Sequence, residues 1–212
     1  MSDIFREIDE ELRQERLTKL WKLYGSYVIG GVVALVLAIG GYKFYVSYEL
    51  SRAGEAGAQF AQATKLISEG KYAQAESILA ALSQNGYASY PILARLQQAG
   101  ALAAEKRLDD AVAVYDQIAQ DTGADIMFRD LAKVRAAIIL VDSASPEEIS
   151  RRMDPLITSQ GIWHHTAREL VALSTYRAAD YKAADKLYGE ILADVGTPAR
   201  LRARAEMMRA LI

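Results

Sequence analysis

The sequence predicts an all-α protein in which an N-terminal transmembrane helix precedes an α-solenoid of about four helical hairpins. Three observations support this fold class. An uncharged apolar segment lies near the N-terminus, and the chain after it is rich in alanine and lacks the alternating pattern of β-strands. In that later part, a helical pattern of apolar residues recurs at a nearly constant interval.

The transmembrane prediction rests on residues 23–42, which contain no charged side chain. A helix of this length is ~30 Å long, the thickness of the hydrocarbon core of a bilayer. Its apolar side chains point in every direction, so it lacks the polar face of a soluble helix. We therefore prefer a membrane span to a buried core helix. Aromatic residues that suit the headgroup layer lie at both ends, namely Trp21, Tyr24, Tyr27, Tyr42, Phe44, Tyr45 and Tyr48.

The basic residues around this segment predict its orientation. Residues 13–22 contain four basic residues, whereas residues 43–52 contain two. Because positive charge is retained on the cytoplasmic side, the N-terminus is predicted to be cytoplasmic and the rest of the chain external. A cleaved signal peptide is the alternative, but it would start its apolar run earlier and be followed closely by a small-residue cleavage site. We interpret the segment as a retained single-pass anchor.

These features divide the chain into four predicted parts. Residues 1–22 form a cytoplasmic amphipathic segment, residues 23–42 the transmembrane helix, residues 43–53 a linker or helix extension, and residues 54–212 the repeat domain. The last part is long enough to bury a core of its own. The sequence therefore predicts one folded domain outside the membrane.

Small residues recur every four positions within the predicted span, at Gly30, Ala34 and Ala38. They would share one helix face, on which another membrane helix can approach closely. The alternative is the ordinary tolerance of membrane helices for glycine and alanine. We predict a transmembrane packing face at these three positions.

The repeat is defined by small residues in paired helices. Ala75, Ala111, Ile149 and Ala184 are 36, 38 and 35 residues apart, and each is followed by large residues four and seven positions later. Ile149 breaks the small-residue rule in the third repeat. Twelve residues before each of the four, in the preceding helix, lies another alanine. A small residue at a fixed position lets two antiparallel helices approach closely. This pattern resembles the tetratricopeptide repeat (TPR), a helix–turn–helix unit of about 34 residues. The earlier alanines are Ala63, Ala99, Ala137 and Ala172.

Patterns typical of catalytic and metal sites are missing from the sequence. The chain has no cysteine, a net charge of −2, and no glycine-rich phosphate loop or His-Glu-x-x-His motif. The two histidines, His164 and His165, are adjacent, so on a helix they are expected to point about 100° apart and not to share a metal ion. We predict no catalytic residue, no cofactor, no metal site and no enzymatic activity.

The combination of an N-terminal span and four imperfect repeats resembles the YfgM family, ancillary subunits of the bacterial Sec translocon. The most specific part is the approach to the membrane, from Asp9-Glu10-Glu11 to Leu20-Trp21-Lys22-Leu23-Tyr24-Gly25. The resemblance implies an inner-membrane protein with periplasmic repeats. It also implies as partners the Sec translocon subunits, a membrane-anchored prolyl-isomerase-like chaperone and exported unfolded proteins.

Apolar residues on the first helix of each hairpin form a candidate groove for a partner or an unfolded segment. Two interpretations stay open, because the same residues would form the core of the solenoid if they are buried. Two functions stay open as well. One is a chaperone-linked accessory subunit of the export machinery; the other is a scaffold or assembly subunit of another inner-membrane complex. The candidate groove residues are Phe60, Ile67, Leu93, Leu96, Leu131, Val134, Ile138, Leu173 and Tyr176.

Overall fold

The computed structural model describes the backbone of residues 2–212 and the side chains of residues 18, 19, 21–27 and 29–212. Over this range the protein is entirely helical, which confirms the predicted fold class. The chain divides into two compact units, one ending at Gly54 and the other comprising Glu55–Ile212. The described helices, in chain order, are α1 (Ser2–Ser68), α2 (Tyr72–Asn85), α3 (Tyr90–Ala104), α4 (Leu108–Gln120), α5 (Ile126–Leu140), α6 (Pro146–Thr158), α7 (His164–Arg177), α8 (Tyr181–Ala193) and α9 (Ala199–Ala210).

The first unit consists of α1 up to Gly54. From Trp21 onward α1 is long and apolar enough to cross a membrane, judged by its length and composition. Large apolar side chains in this part are exposed; Val36 and Leu37 retain 62% and 70% of their accessible surface. A helix that exposes apolar groups all round needs lipid or another protein around it.

The second unit is a stack of helical hairpins. The end of α1 pairs with α2, and three further pairs follow: α3 with α4, α5 with α6, and α7 with α8. The first helices of successive hairpins are also in contact with one another. Thus α3 packs on α5, α5 on α7, and α7 on the final helix α9. This arrangement confirms four hairpins followed by a final helix.

The small residues that defined the repeat are all completely buried. Ala75, Ala111, Ile149 and Ala184 have no exposed surface, and neither do the four alanines that lie twelve residues earlier. The predicted repeat alignment is therefore correct in all four hairpins. A side chain without bulk at these places allows the two helix backbones of a hairpin to come close together.

Large side chains fill the space between neighbouring hairpins. The residues four and seven positions after each small anchor are buried, and they pack against an alanine near the start of the following first helix. The core is therefore built across repeats as well as within them, as expected for a solenoid. The residues from the second helices are Leu79, Leu82, Tyr115, Ile118, Met153, Leu156, Tyr188 and Ile191, and the following alanines are Ala94, Ala132 and Ala167.

Three of the four hairpins turn in the same way. Gly70, Lys106 and Ala179 each have a positive φ and end the first helix. In each turn, the two amide groups at the helix end donate to carbonyls of its last turn, which is the Schellman arrangement. The third hairpin differs, because Ser145 accepts from the Glu148 amide and Pro146 starts α6. The third hairpin, which has Ile149 where the other hairpins have alanine, therefore also has a different turn.

A second, longer repetition relates α3–α5 to α7–α9. In both segments an arginine on the first helix binds an aspartate beyond the second helix: Arg95 Nη1 to Asp121 Oδ2 at 2.7 Å, and Arg168 Nη1 to Asp194 Oδ2 at 2.9 Å. Both members of the later pair lie 73 residues after their counterparts. In both segments the aspartate also accepts from a glycine amide two residues later.

The helices that follow these aspartates, α5 and α9, are held by equivalent hydrogen bonds. Arg129 donates to the carbonyl of Ala119, and Arg202, 73 residues later, donates to the carbonyl of Leu192. These carbonyls lie in the last turn of a helix, where they lack partners within it. The final helix α9 therefore corresponds to the first part of α5.

Replacing Ala111 by leucine should destabilise the fold by roughly 1–3 kcal/mol, because a fully buried crossing position cannot accept three more carbon atoms without strain. The measurement is urea unfolding followed by circular dichroism. Ala113 lies on the same helix but is exposed, and Ala113→Leu serves as the matched control with a change near zero. Equal effects of the two substitutions would contradict the importance of the crossing position.

Candidate functional site

The candidate site is the apolar face of the first helices, here called the first-helix face and comprising the nine residues predicted above. In TPR domains this side of the stack lines the groove for ligands. Seven of the nine side chains are partly buried, Ile138 is 47% exposed, and Val134 is 2% exposed. The structure thus places these residues on one side of the first helices, at four positions that recur between hairpins, but with unequal access to solvent.

Val134 requires a correction to the predicted groove. Its side chain lies in a core cluster with Met153 and Leu156 of α6 and Leu170 of α7, so it is a packing residue and not a groove residue. The equivalent residue of the preceding hairpin, Leu96, is only partly buried. The sequence pattern could not separate these two because they occupy the same position in neighbouring repeats.

The other residues of the first-helix face combine packing with partial exposure. Phe60 packs beside Tyr90, with ring centroids 6.1 Å apart, and Ile67 lies against the same core cluster. Tyr176 packs beside Tyr181 at 5.4 Å. Leu93 and Leu131 are partly buried near the starts of α3 and α5, and Leu173 packs against the core between α5 and α7. The face is therefore partly core and partly available surface.

Two residues at the middle of this face were not predicted from the sequence. Gly100 is an exposed residue inside α3, where glycine costs a helix about 1 kcal/mol relative to alanine. A Cβ atom there would lie 3.7 Å from the Tyr115 hydroxyl, an ordinary contact, so packing does not require glycine. Tyr115 packs against Ala132 and Ala136 of α5, and Arg135 lies on the same helix turn with an exposed side chain. A glycine inside a helix, at a position where packing does not require it, is the feature of the sequence that could have identified this site.

The two histidines meet at one carboxylate. His164 and His165 lie at the start of α7 with ring centroids 3.6 Å apart, and a nitrogen of each lies 3.9 Å from Asp194 Oδ2. The expectation that the rings diverge is therefore wrong. The His164 ring bends back to Gly161, whose carbonyl lies 2.8 Å from Nδ1.

This cluster has the residue types of a metal site, but its charges favour a structural role. The candidate ligand atoms of His164, His165 and Asp194 lie within 4.8 Å of one another. However, Asp194 Oδ2 already accepts from Arg168, and the positive end of the α7 dipole lies at the same place. Both features disfavour a cation and favour the carboxylate. The Gly196 amide and Arg168 accordingly lower the pKa of Asp194.

The predicted membrane packing face lies on α1. Gly30, Ala34 and Ala38 are all exposed, and a Cβ atom at Gly30 would meet nothing within 4 Å among the described residues. The described side chains of residues 29–45 are all exposed, so the packing face at these three positions stays a prediction.

Stacked helical hairpins with a partly exposed apolar face define a helical-repeat protein. The chain belongs to the tetratricopeptide repeat-like domain family, whose model matches residues 18–160. Domains of this kind are typically non-catalytic scaffolds for protein–protein interaction. No curated protein and no solved structure gives a significant match. The fourth hairpin lies beyond the matched residues but has the same buried anchors.

Acidification from neutral pH should destabilise the protein through protonation of His165. Burial, and then the neighbouring His164, lower the pKa of His165, so its contribution to stability is complete above its ordinary pKa of about 6.5 and is lost as the pH falls towards the folded value. Thermal unfolding followed by circular dichroism should therefore give a lower Tm at about pH 5.5 than at about pH 7.5.

The matched variant for this prediction is His165→Gln, which should reduce the change in Tm between the two pH values. Three hydrogen-bonded carboxylates do not account for the same change, because the pKa values of Asp121, Asp185 and Asp194 are lowered by their hydrogen bonds and they titrate only in stronger acid. An unchanged pH dependence in the variant would exclude His165 as its source.

Proposed function

We propose that the protein is a membrane-anchored periplasmic TPR protein, ancillary to the Sec translocon, that hands exported proteins to periplasmic chaperones by protein–protein binding. The single observation that supports binding most directly is the partly exposed first-helix face. A stack of first helices that retains exposed apolar groups such as Ile138 offers an extended surface for an apolar segment of another protein. No step of this function requires catalysis.

The anchoring part of the proposal rests on α1. Its apolar segment from residue 23 to residue 42 would cross the inner membrane once, with residues 1–22 in the cytoplasm and residues 43–212 in the periplasm. The flanking basic residues favour this orientation. Gly30, Ala34 and Ala38 would be the place where a membrane partner packs.

The translocon and chaperone partners rest on the resemblance to the YfgM family. Its support is the order of features along the chain, with a short charged N-terminus, one span and repeats directly after it. A scaffold or assembly subunit of another inner-membrane complex is the second candidate. The exposed surface at the small-residue positions of α1 favours it equally, because either function needs a helix packed there.

Site-specific crosslinking tests the binding function. A photoreactive amino acid introduced in place of Tyr176, which is partly exposed on the first-helix face, should form crosslinks to translocon subunits, to the chaperone or to newly exported chains in intact membranes. Ile138→Glu should weaken binding severalfold without unfolding, because a carboxylate on an exposed helix position is hydrated in the free protein but must lose water against an apolar ligand.

Ile126 is the matched control, since it is also an exposed isoleucine of α5 but lies about 120° around the helix from Ile138. Ile126→Glu should leave the crosslinks unchanged. Equal crosslinking by Ile138→Glu and Ile126→Glu would indicate that the binding surface is not the first-helix face. Crosslinks confined to an unrelated membrane complex would favour the scaffold function.

The orientation is tested by alkaline phosphatase, which is active only in the periplasm. Fused after Ile212 it should be active, because the four basic residues within residues 13–22 retain the N-terminus inside and leave the C-terminus in the periplasm. An inactive fusion at Ile212 with an intact chain would show that the orientation is reversed.

A further inference from the structure

A polar gap interrupts the first-helix face between α3 and α5. Gly100 leaves no side chain above Tyr115, and this tyrosine packs against Ala132 and Ala136 of α5, the helix turn that also carries Arg135. Within the described part of the chain, Arg135 forms no ion pair or hydrogen bond. Leu96 and Ile138 belong to the same two helices, so an unneutralised cation lies among apolar side chains. We call Gly100, Tyr115 and Arg135 the Arg135 notch.

The longer repetition provides an internal comparison for this notch. The residues 73 positions later are Leu173, Tyr188 and Met208, so the glycine and the arginine are replaced by large apolar side chains around the same tyrosine. Met208 packs against the cluster that contains Tyr188, which is 1% exposed, compared with 4% for Tyr115. A closed version of the site is therefore compatible with this fold, and the open version is a property of the second hairpin.

We infer that the Arg135 notch binds an acidic side chain, aspartate or glutamate, of an extended apolar segment lying on the first-helix face. A carboxylate there accepts from the Arg135 guanidinium and from the Tyr115 hydroxyl, and charge-assisted hydrogen bonds of this kind are the stronger ones in proteins. Gly100 provides the space for the acidic side chain to reach the hydroxyl. This inference rests on the proposed binding function of the face.

The face extends past the notch in both directions, which favours an internal acidic residue over a chain terminus. Phe60 and Ile67 lie on the first helix before α3, and Leu173 and Tyr176 lie on the first helix after α5. A segment that covers both sides continues through the notch, with apolar residues on either side of its acidic residue. The recognised class is therefore an aliphatic segment with a single acidic side chain.

Binding of defined peptides to the full chain in lipid nanodiscs tests the notch, with fluorescence anisotropy as the measurement and empty nanodiscs as the blank. The acidic probe is an acetylated and amidated peptide of alternating leucine and serine with one central glutamate. The neutral probe has glutamine at that place. A third probe has the neutral sequence with a free terminal carboxylate. The acidic probe should bind about tenfold more tightly than the neutral one.

Two variants copy the closed version of the site. Arg135→Met should remove the preference for the acidic probe, and Gly100→Leu should weaken the binding of that probe by obstructing the hydroxyl. Arg151 of α6 is also an exposed arginine but lies on a second helix, and Arg151→Met should retain the full preference. Circular dichroism of each variant establishes that it is folded.

Three other outcomes would contradict the binding of an acidic side chain, the binding function of the face, or the selectivity for an internal residue. If the acidic and neutral probes bind equally to the wild-type chain and to Arg135→Met, the Arg135 notch does not recognise an acidic side chain. Binding to the first-helix face is then still supported. If neither probe binds, the proposed function of the face fails and the notch fails with it. If the probe with the free terminus binds as tightly as the acidic probe and is equally sensitive to Arg135→Met, the notch does not select internal acidic side chains.

Discussion

The whole repeat domain depends on the close approach of two helices at a small residue. Ala172 and Ala184 illustrate it, since both are fully buried and both belong to the core cluster of the fourth hairpin. When helix axes come this near, the side chains a turn away must fill the remaining space, and the large residues four and seven positions later do so. The third hairpin tolerates Ile149 at the same place, and it also has a different turn, so the close approach and the turn geometry vary together.

Polar side chains fix the loops between repeats, where the hydrophobic core gives little guidance. Arg95 and Arg168 each bind an aspartate that follows the neighbouring second helix, and Arg129 and Arg202 each satisfy carbonyls at a helix end. These groups are partly exposed, so each ion pair contributes little to stability by itself. Their recurrence after 73 residues indicates that their main effect is on geometry: they set where the next first helix begins.

The fold was predictable from the sequence to the level of individual anchors, whereas the site was not. Alanine spacing identifies the crossings because burial imposes small size at one position per helix. Access to solvent at the first-helix face depends on how far each hairpin opens, which no local pattern records, and this is why Val134 and Leu96 differ although they occupy equivalent positions. The two histidines were misjudged for a related reason. Ideal helix geometry does not apply to a first residue whose side chain bends back to the preceding loop.

Using one helix face for both core and binding surface limits where specificity can arise. Most large apolar residues of the first-helix face pack against a core cluster, so replacing one to suit a ligand removes packing as well. A residue that contributes no packing is free of this constraint. Gly100 is such a residue: it costs helix stability, and it lies over the hydroxyl of Tyr115, which packs against the turn of α5 that carries the exposed Arg135. In the corresponding place of the fourth hairpin, Leu173 packs against the core instead. The second hairpin therefore lacks a packing side chain at Gly100, beside the charged group that we infer binds a ligand carboxylate. Selectivity between apolar segments can arise at this position with the least loss of packing.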